Sequence, residues 1–155
     1  MNFAGLRILV VEDEFLVALG LEGELRALGC DVVGPVANLS VALDVARNEG
    51  LDAALLDVSL GRDCVFPAAA ILAARGVPFV FCSAFTSPEP VPRRFADRPR
   101  VAKPFTGAMI IAALASVVMA GGAGRPDVAH RKTGRDGRAR RAAPPVRAAR
   151  EPGMS

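Results

Sequence analysis

Three apolar runs in this chain each stop at a side chain able to do chemistry. Ala53-Ala54-Leu55-Leu56 runs straight into Asp57, and turn residues Ser59, Leu60 and Gly61 follow. Arg7-Ile8-Leu9-Val10-Val11 leads into Glu12-Asp13-Glu14, and the short stretch Arg100-Val101-Ala102 ends at Lys103, ahead of Pro104 and Phe105. If the first two runs are neighbouring strands, Glu12, Asp13 and Asp57 converge on one pocket. Two unit charges about 5 Å apart repel by roughly 3 kcal/mol at an effective dielectric of ~20, so such a pocket must protonate or take up a cation. Oxygen-only ligands completed by water suit Mg²⁺. A lysine arriving from a third strand adds a fixed positive charge. Acids, cation and lysine together suit an aspartate that accepts a phosphoryl group, because both positive charges bind the incoming phosphoryl oxygens.

The elements that must position these groups follow from pattern. A continuous apolar run closed by turn signals reads as a strand buried on both faces. Strands are expected at about 7–11, 31–36, 53–57, 79–83 and 100–102. Pro35 marks the second strand as an edge. Helices are expected at about 14–28, with Val17, Leu21, Leu25 and Leu28 on one face, and at 40–48, with Asn38 or Ser40 as N-cap. A third begins near Val65 with Pro67 in its first turn, and a last one covers 106–119. Strands alternate with helices, which means βα units and a parallel sheet, and open sheets of that kind place their chemistry at the carboxyl ends of the strands. The segment 86–99 breaks the pattern. Four prolines leave room for at most two helical turns near Arg93–Asp97, so a loop or a short helix is expected there.

Composition excludes several chemistries. There is no Trp or Tyr, and the single histidine, His130, stands late in the chain, so histidine catalysis and a histidine-held zinc in the body are excluded. Cys30, Cys64 and Cys82 have neither metal nor redox spacing and read as buried, reduced cysteines. The formal charge of +3 hides two regions: residues 121–155 carry nine basic and three acidic side chains, and the first 120 residues carry ten and thirteen. The longest uncharged apolar stretch, Ala108 to Ala120, is too short to span a bilayer. With no secretion-type leader, a cytoplasmic location without membrane insertion is the expectation.

The chain resembles the bacterial response-regulator receiver domain over about residues 5–120. The matching positions are the acidic pair Glu12 and Asp13, Asp57, Ser83 in Phe81-Cys82-Ser83-Ala84-Phe85, and Lys103 in Lys-Pro-Phe. The resemblance implies an α/β, flavodoxin-like three-layer sandwich with a five-stranded parallel sheet of order 2-1-3-4-5 and a fourth helix that is short or absent here. It implies that Asp57 accepts the phosphoryl group from a sensor histidine kinase or a phosphotransfer protein in a phosphorelay. Asp57, Asp13 and the backbone carbonyl of Ser59 would bind Mg²⁺, with Glu12 acting through a water. Lys103 would pair with Asp57 and then with the phosphoryl group, across a Lys103–Pro104 bond that family resemblance allows to be cis. Ser83 would move towards the phosphoryl oxygen. Its only catalysis would be of its own phosphorylation and dephosphorylation.

Two departures stand out. Receivers commonly carry an aromatic switch residue three positions before the lysine, and here that position holds Arg100; Phe85 is the substitute candidate. The motif at Phe81–Phe85 and the reduced fourth helix are similar to a subgroup of mostly stand-alone alphaproteobacterial receivers with a Phe-Ala-Thr-Gly-Tyr-like motif. On the last helix, Ile110, Ala113, Leu114 and Val117 form a core face, while Ile111, Ala115, Val118 and Met119 fall outside it and suggest a homodimer or a docked partner. Residues 121–155 read as a basic, disordered tail without aromatic stacking residues, hence with no specific nucleic-acid partner. The competing reading is a receiver-like binding module that signals without phosphorylation.

Overall fold

In a computed structural model of the protein, residues 2–84 and 90–122 are described, the side chains of 121 and 122 excepted. Strand β1 (Arg7–Val11) is followed by α1 (Phe15–Ala27), β2 (Asp31–Val36), α2 (Leu39–Asn48) and β3 (Ala53–Asp57). A small hairpin of β4 (Ser59–Leu60) and β5 (Asp63–Cys64) precedes α3 (Phe66–Ala74), β6 (Phe79–Ala84), a 3-10 turn at Arg93–Phe95, β7 (Arg100–Lys103) and α4 (Gly107–Gly122). The main sheet is parallel, in the order β2-β1-β3-β6-β7. With the hairpin set aside, this is the 2-1-3-4-5 order implied by resemblance, with β2 on an edge.

Strand alternation splits the core into two layers. Leu9, Val11, Ala54, Leu56, Phe79 and Phe81 pack with α2 and α3 on one face. Ile8, Val10, Ala53, Leu55, Val80 and Cys82 pack with α1 and α4 on the other. All five residues of β3 are buried, as its unbroken apolar run requires. Leu55 and Leu56 hold the central strand between both layers, and truncating such a residue to Ala costs about 2–5 kcal/mol. The α2 start is capped by Asn38, whose Oδ1 accepts the Val41 amide at 2.9 Å.

Among the described residues between β6 and β7, only the 3-10 turn stands where a fourth helix was expected to shrink. Its Phe95 is buried and completes an aromatic cluster, with ring centroids 5.7 Å from Phe79 and 5.8 Å from Phe81. Arg94 lies 4.8 Å over the Phe95 ring and Arg98 lies 4.5 Å over Phe79. Two guanidinium groups thus stack on the aromatic layer beside the 3-10 turn.

Two expectations need correction. Cys64 is half-buried in the hairpin, unlike Cys30 and Cys82; none of the three forms a disulfide. Ile111, Ala115 and Val118 of α4 pack partly against the core, leaving Met109 and Met119 as its exposed large apolar side chains. The more exposed apolar group is on α1: Phe15, Leu16 and Leu19 are 76%, 79% and 53% exposed. No described helix is long and apolar enough to cross a membrane.

Candidate functional site: an acidic cleft closed by a lysine

The ends of β1, β3 and β7 meet at the carboxyl edge of the sheet. Parallel register sets Val11 beside Leu56 and Asp57 beside Cys82, so the residues that follow Val11 arrive level with Asp57. Glu12 is fixed by a local irregularity in the neighbouring strand. The β1–β2 register skips a residue between Leu9 and Val11, at Gly34-Pro35. Gly34 has φ +103°, and a Cβ there would lie 2.8 Å from both Val10 O and Val36 N, so only glycine fits. The bulge lets Val36 O accept the Glu12 amide at 2.9 Å. Asp13 is held from the hairpin: the Gly61 amide donates to its Oδ2 at 3.0 Å, and Gly61 turns the chain there with φ +63°.

Glu12, Asp13 and Asp57 each offer a carboxylate oxygen, and the three oxygens lie within 4.8 Å of one another. Glu12 and Asp57 are buried and Asp13 is exposed. Lys103 Nζ lies 3.2 Å from Asp57 Oδ2 and 2.9 Å from Glu12 Oε2. It donates a hydrogen bond to Glu12 Oε1 at 3.0 Å; Oε2 is paired by charge but off the hydrogen-bonding angle, so this buried oxygen has no hydrogen-bond donor. Ser59 N donates to Asp57 Oδ1 at 3.3 Å. A cavity of about 190 Å³ opens over these groups, lined by Asp13, Asp57, Ser59, Gly61, Ala84 and Lys103 together with Glu14.

Electrostatics follow from three acids around one lysine. Burial, then the hydrogen bond and negative charge of Glu12, push Asp57 up to about 8, against the opposing pull of Lys103. Burial alone would lower Lys103, but Glu12 and Asp57 outweigh it and hold the ammonium above its ordinary value. Burial, aided by the charges of Glu12 and Asp57, pushes the Cys82 thiol up to about 12, so this cysteine is an inert packing residue. The donor set is hard oxygen throughout, in excess over the positive charge, with one buried carboxylate oxygen lacking a donor. These residues fit a divalent hard cation.

Of the residues singled out from sequence, the fold therefore gathers Glu12, Asp13, Asp57, Ser59 and Lys103. Ser83 is buried one strand away, where its Oγ accepts from Arg100 Nε at 2.7 Å; it does not line the acidic cavity. Phe85 lies outside the described residues. The Lys103–Pro104 bond is cis. Glu14 joins the site as a further acid, its Oε1 lying 3.4 Å from Lys103 Nζ. Spacing within the Glu12-Asp13-Glu14 run was the available signal. Arg100 carried no sequence signal for its bond to Ser83 beyond its odd presence in an otherwise apolar strand.

Comparison with known proteins places this architecture. No family model matches the chain. It is similar to SdrG of Sphingomonas melonis, at 42% identity and TM-score 0.66, over 76% of this chain and 99% of that one. It is also similar to the receiver domain of the Pseudomonas aeruginosa sensor histidine kinase PA1611, a structure with magnesium coordinated in its active-site cleft. That match is 28% identical, with TM-score 0.62, over 75% and 99% of the two chains. Phyllosphere-induced regulator PhyR of Methylorubrum extorquens is 32% identical over 123 residues, 72% of this chain. The chain spans 43% of the length of the curated relatives it matches. The chain belongs to the response-regulator receiver domains of two-component systems.

Proposed function

We propose that the chain accepts a phosphoryl group on Asp57 from a phosphohistidine of a sensor histidine kinase or phosphotransfer protein. The observation that carries this reading is the Asp57 carboxylate, buried at the carboxyl end of β3, with Lys103 Nζ 3.2 Å from one oxygen and two further acids beside it. An oxygen of Asp57 attacks the phosphorus, the O–P bond forms as the N–P bond of the donor breaks, and the imidazole leaves after taking a proton. Lys103 holds one phosphoryl oxygen and balances the charge that arrives. Glu12, Asp13, Asp57 and the Ser59 carbonyl would hold Mg²⁺, which when bound offsets phosphoryl charge. Ser83 would contact a phosphoryl oxygen, and Phe85 would follow it.

The reading extends to a receiver domain at residues 5–120 with a basic tail at 121–155, acting in the cytoplasm by binding rather than by turnover. A homodimer through α4 would draw mainly on Met109 and Met119, since Ile111, Ala115 and Val118 already pack inward.

Intact mass after incubation with acetyl phosphate and with a phosphorylated histidine donor tests the proposal, beside an Asp57→Asn control. One phosphoryl group is expected, dependent on Mg²⁺ and lost in the variant. No gain from either donor, or an equal gain in the variant, overturns it and leaves the phosphorylation-independent binding module.

A further inference from the structure

Ser83 and Asp57 stand at the same sheet edge but on opposite faces. Phe79 and Phe81 of β6 pack on the α2/α3 side, and Val80 and Cys82 pack on the α1/α4 side. Alternation puts Ser83 with Phe81 and Asp57 with Ala53 and Leu55. On β7, Val101 packs on the α1/α4 side, so Arg100 shares the face of Ser83. The hydroxyl, 3% exposed, accepts from the guanidinium at 2.7 Å, a short bond of the charge-assisted kind. To meet an oxygen bound to Asp57, Ser83 Oγ must turn over the carboxyl edge of the sheet.

Arg100 is not placed to go with it. Its backbone is paired with Phe81, two residues behind Ser83, and the Pro99 carbonyl before it accepts the Phe81 amide at 3.0 Å. The side chain reaches Ser83 from behind, away from the carboxyl edge. A contact present in one state only opposes the transition by its own worth. We infer that Arg100 is a positioning residue that holds Ser83 in its resting orientation and so opposes phosphoryl binding at Asp57. This rests on the phospho-acceptor reading and adds its regulation: the receiver is latched through the residue that replaces the strand aromatic.

The test is a double-mutant cycle of Arg100→Val and Ser83→Ala, valine being a strand former. Beryllofluoride with Mg²⁺ serves as the phosphoryl mimic, its affinity read from amide shifts at 57–59. Arg100→Val is expected to bind it about tenfold more tightly, the scale of one charge-assisted hydrogen bond. In the Ser83→Ala background the same substitution is expected to change nothing. In EDTA, urea denaturation of the four proteins is expected to give a favourable coupling between the two residues. Arg100→Gln repeats each measurement should Arg100→Val fail to fold. Unchanged or weaker binding by Arg100→Val, an equal gain without the hydroxyl, or zero coupling in EDTA overturns the inference. A wild-type protein that binds no beryllofluoride, yet shows the coupling in EDTA, sinks the phospho-acceptor reading instead.

Discussion

Replacing Asp57 by Asn is expected to make the metal-free domain more stable, although it removes the central residue of the cleft. The oxygens of Glu12 and Asp13 lie within 4.8 Å of that of Asp57, and Lys103 Nζ is 3.2 Å away. At an effective dielectric of ~20, the two repulsions amount to roughly 7 kcal/mol and the attraction to roughly 5 kcal/mol. Ionised Asp57 is therefore unfavourable by about 2 kcal/mol before its desolvation is added. The sign with pH follows from the raised folded-state value, about 8 against 3.8 for an unperturbed carboxyl. The contribution is fully present below about pH 4 and is lost as pH rises towards about 8, because the unfolded chain ionises first. Asn has no such loss, so the advantage of the variant widens over that window and is largest near about pH 9. Urea denaturation in EDTA, followed by far-UV circular dichroism because the chain has no Trp or Tyr, reads the difference. With slopes of about 1–3 kcal/mol/M, the midpoint of the variant should lie about 1 M higher at alkaline pH. Mg²⁺ should raise the wild-type midpoint much more than that of the variant. A variant equal to or less stable than wild type at about pH 9 in EDTA would refute the charge-excess account of the cleft.

The opposite substitution, Lys103→Ala, leaves buried Glu12 and Asp57 without their cation and is expected to cost about 3–5 kcal/mol by urea denaturation in EDTA. Most of that loss should be recovered on adding Mg²⁺; a loss indifferent to the cation would contradict the shared role of lysine and metal. Gly34→Ala puts a Cβ against Val10 O and Val36 N at φ +103° and should cost about 1–3 kcal/mol. Because Val36 O also holds the Glu12 amide, calorimetry should show weaker Mg²⁺ binding in this variant; unaltered affinity would separate the bulge from the site.

Particular residues show what was legible from sequence. Ala53–Leu56 could be read as a doubly buried strand because nothing in it tolerates water, and its position fixes Asp57 at the edge. Lys103 followed in the same way from Val101, which anchors β7 in the core. The β4–β5 hairpin was read only as turn residues, since strands of two residues have no period to detect. Its Gly61 amide nevertheless holds Asp13. Glu14 and Arg100 escaped for another reason. Their partners, Lys103 and Ser83, lie far off in the chain, and local pattern carries no record of which side chains meet across a sheet edge. The α4 patch was overestimated because a helical wheel assigns one buried stripe, whereas small residues such as Ala113 and Ala115 let the helix sit close and half-bury its flanks.

The cleft is also a matter of timing. Lys103 meets Glu12 across 91 residues of chain and Asp57 across 46, so these contacts close among the longest loops of the domain. Parallel pairing of this kind forms late, after local helices. During synthesis both acids emerge well before the lysine that offsets them, and until β7 docks beside β6 the pocket holds only like charges. An incomplete chain therefore has every carboxylate of the site but not the lysine that offsets them. The charge balance of the cleft is therefore complete only once the last strand, β7, is in place.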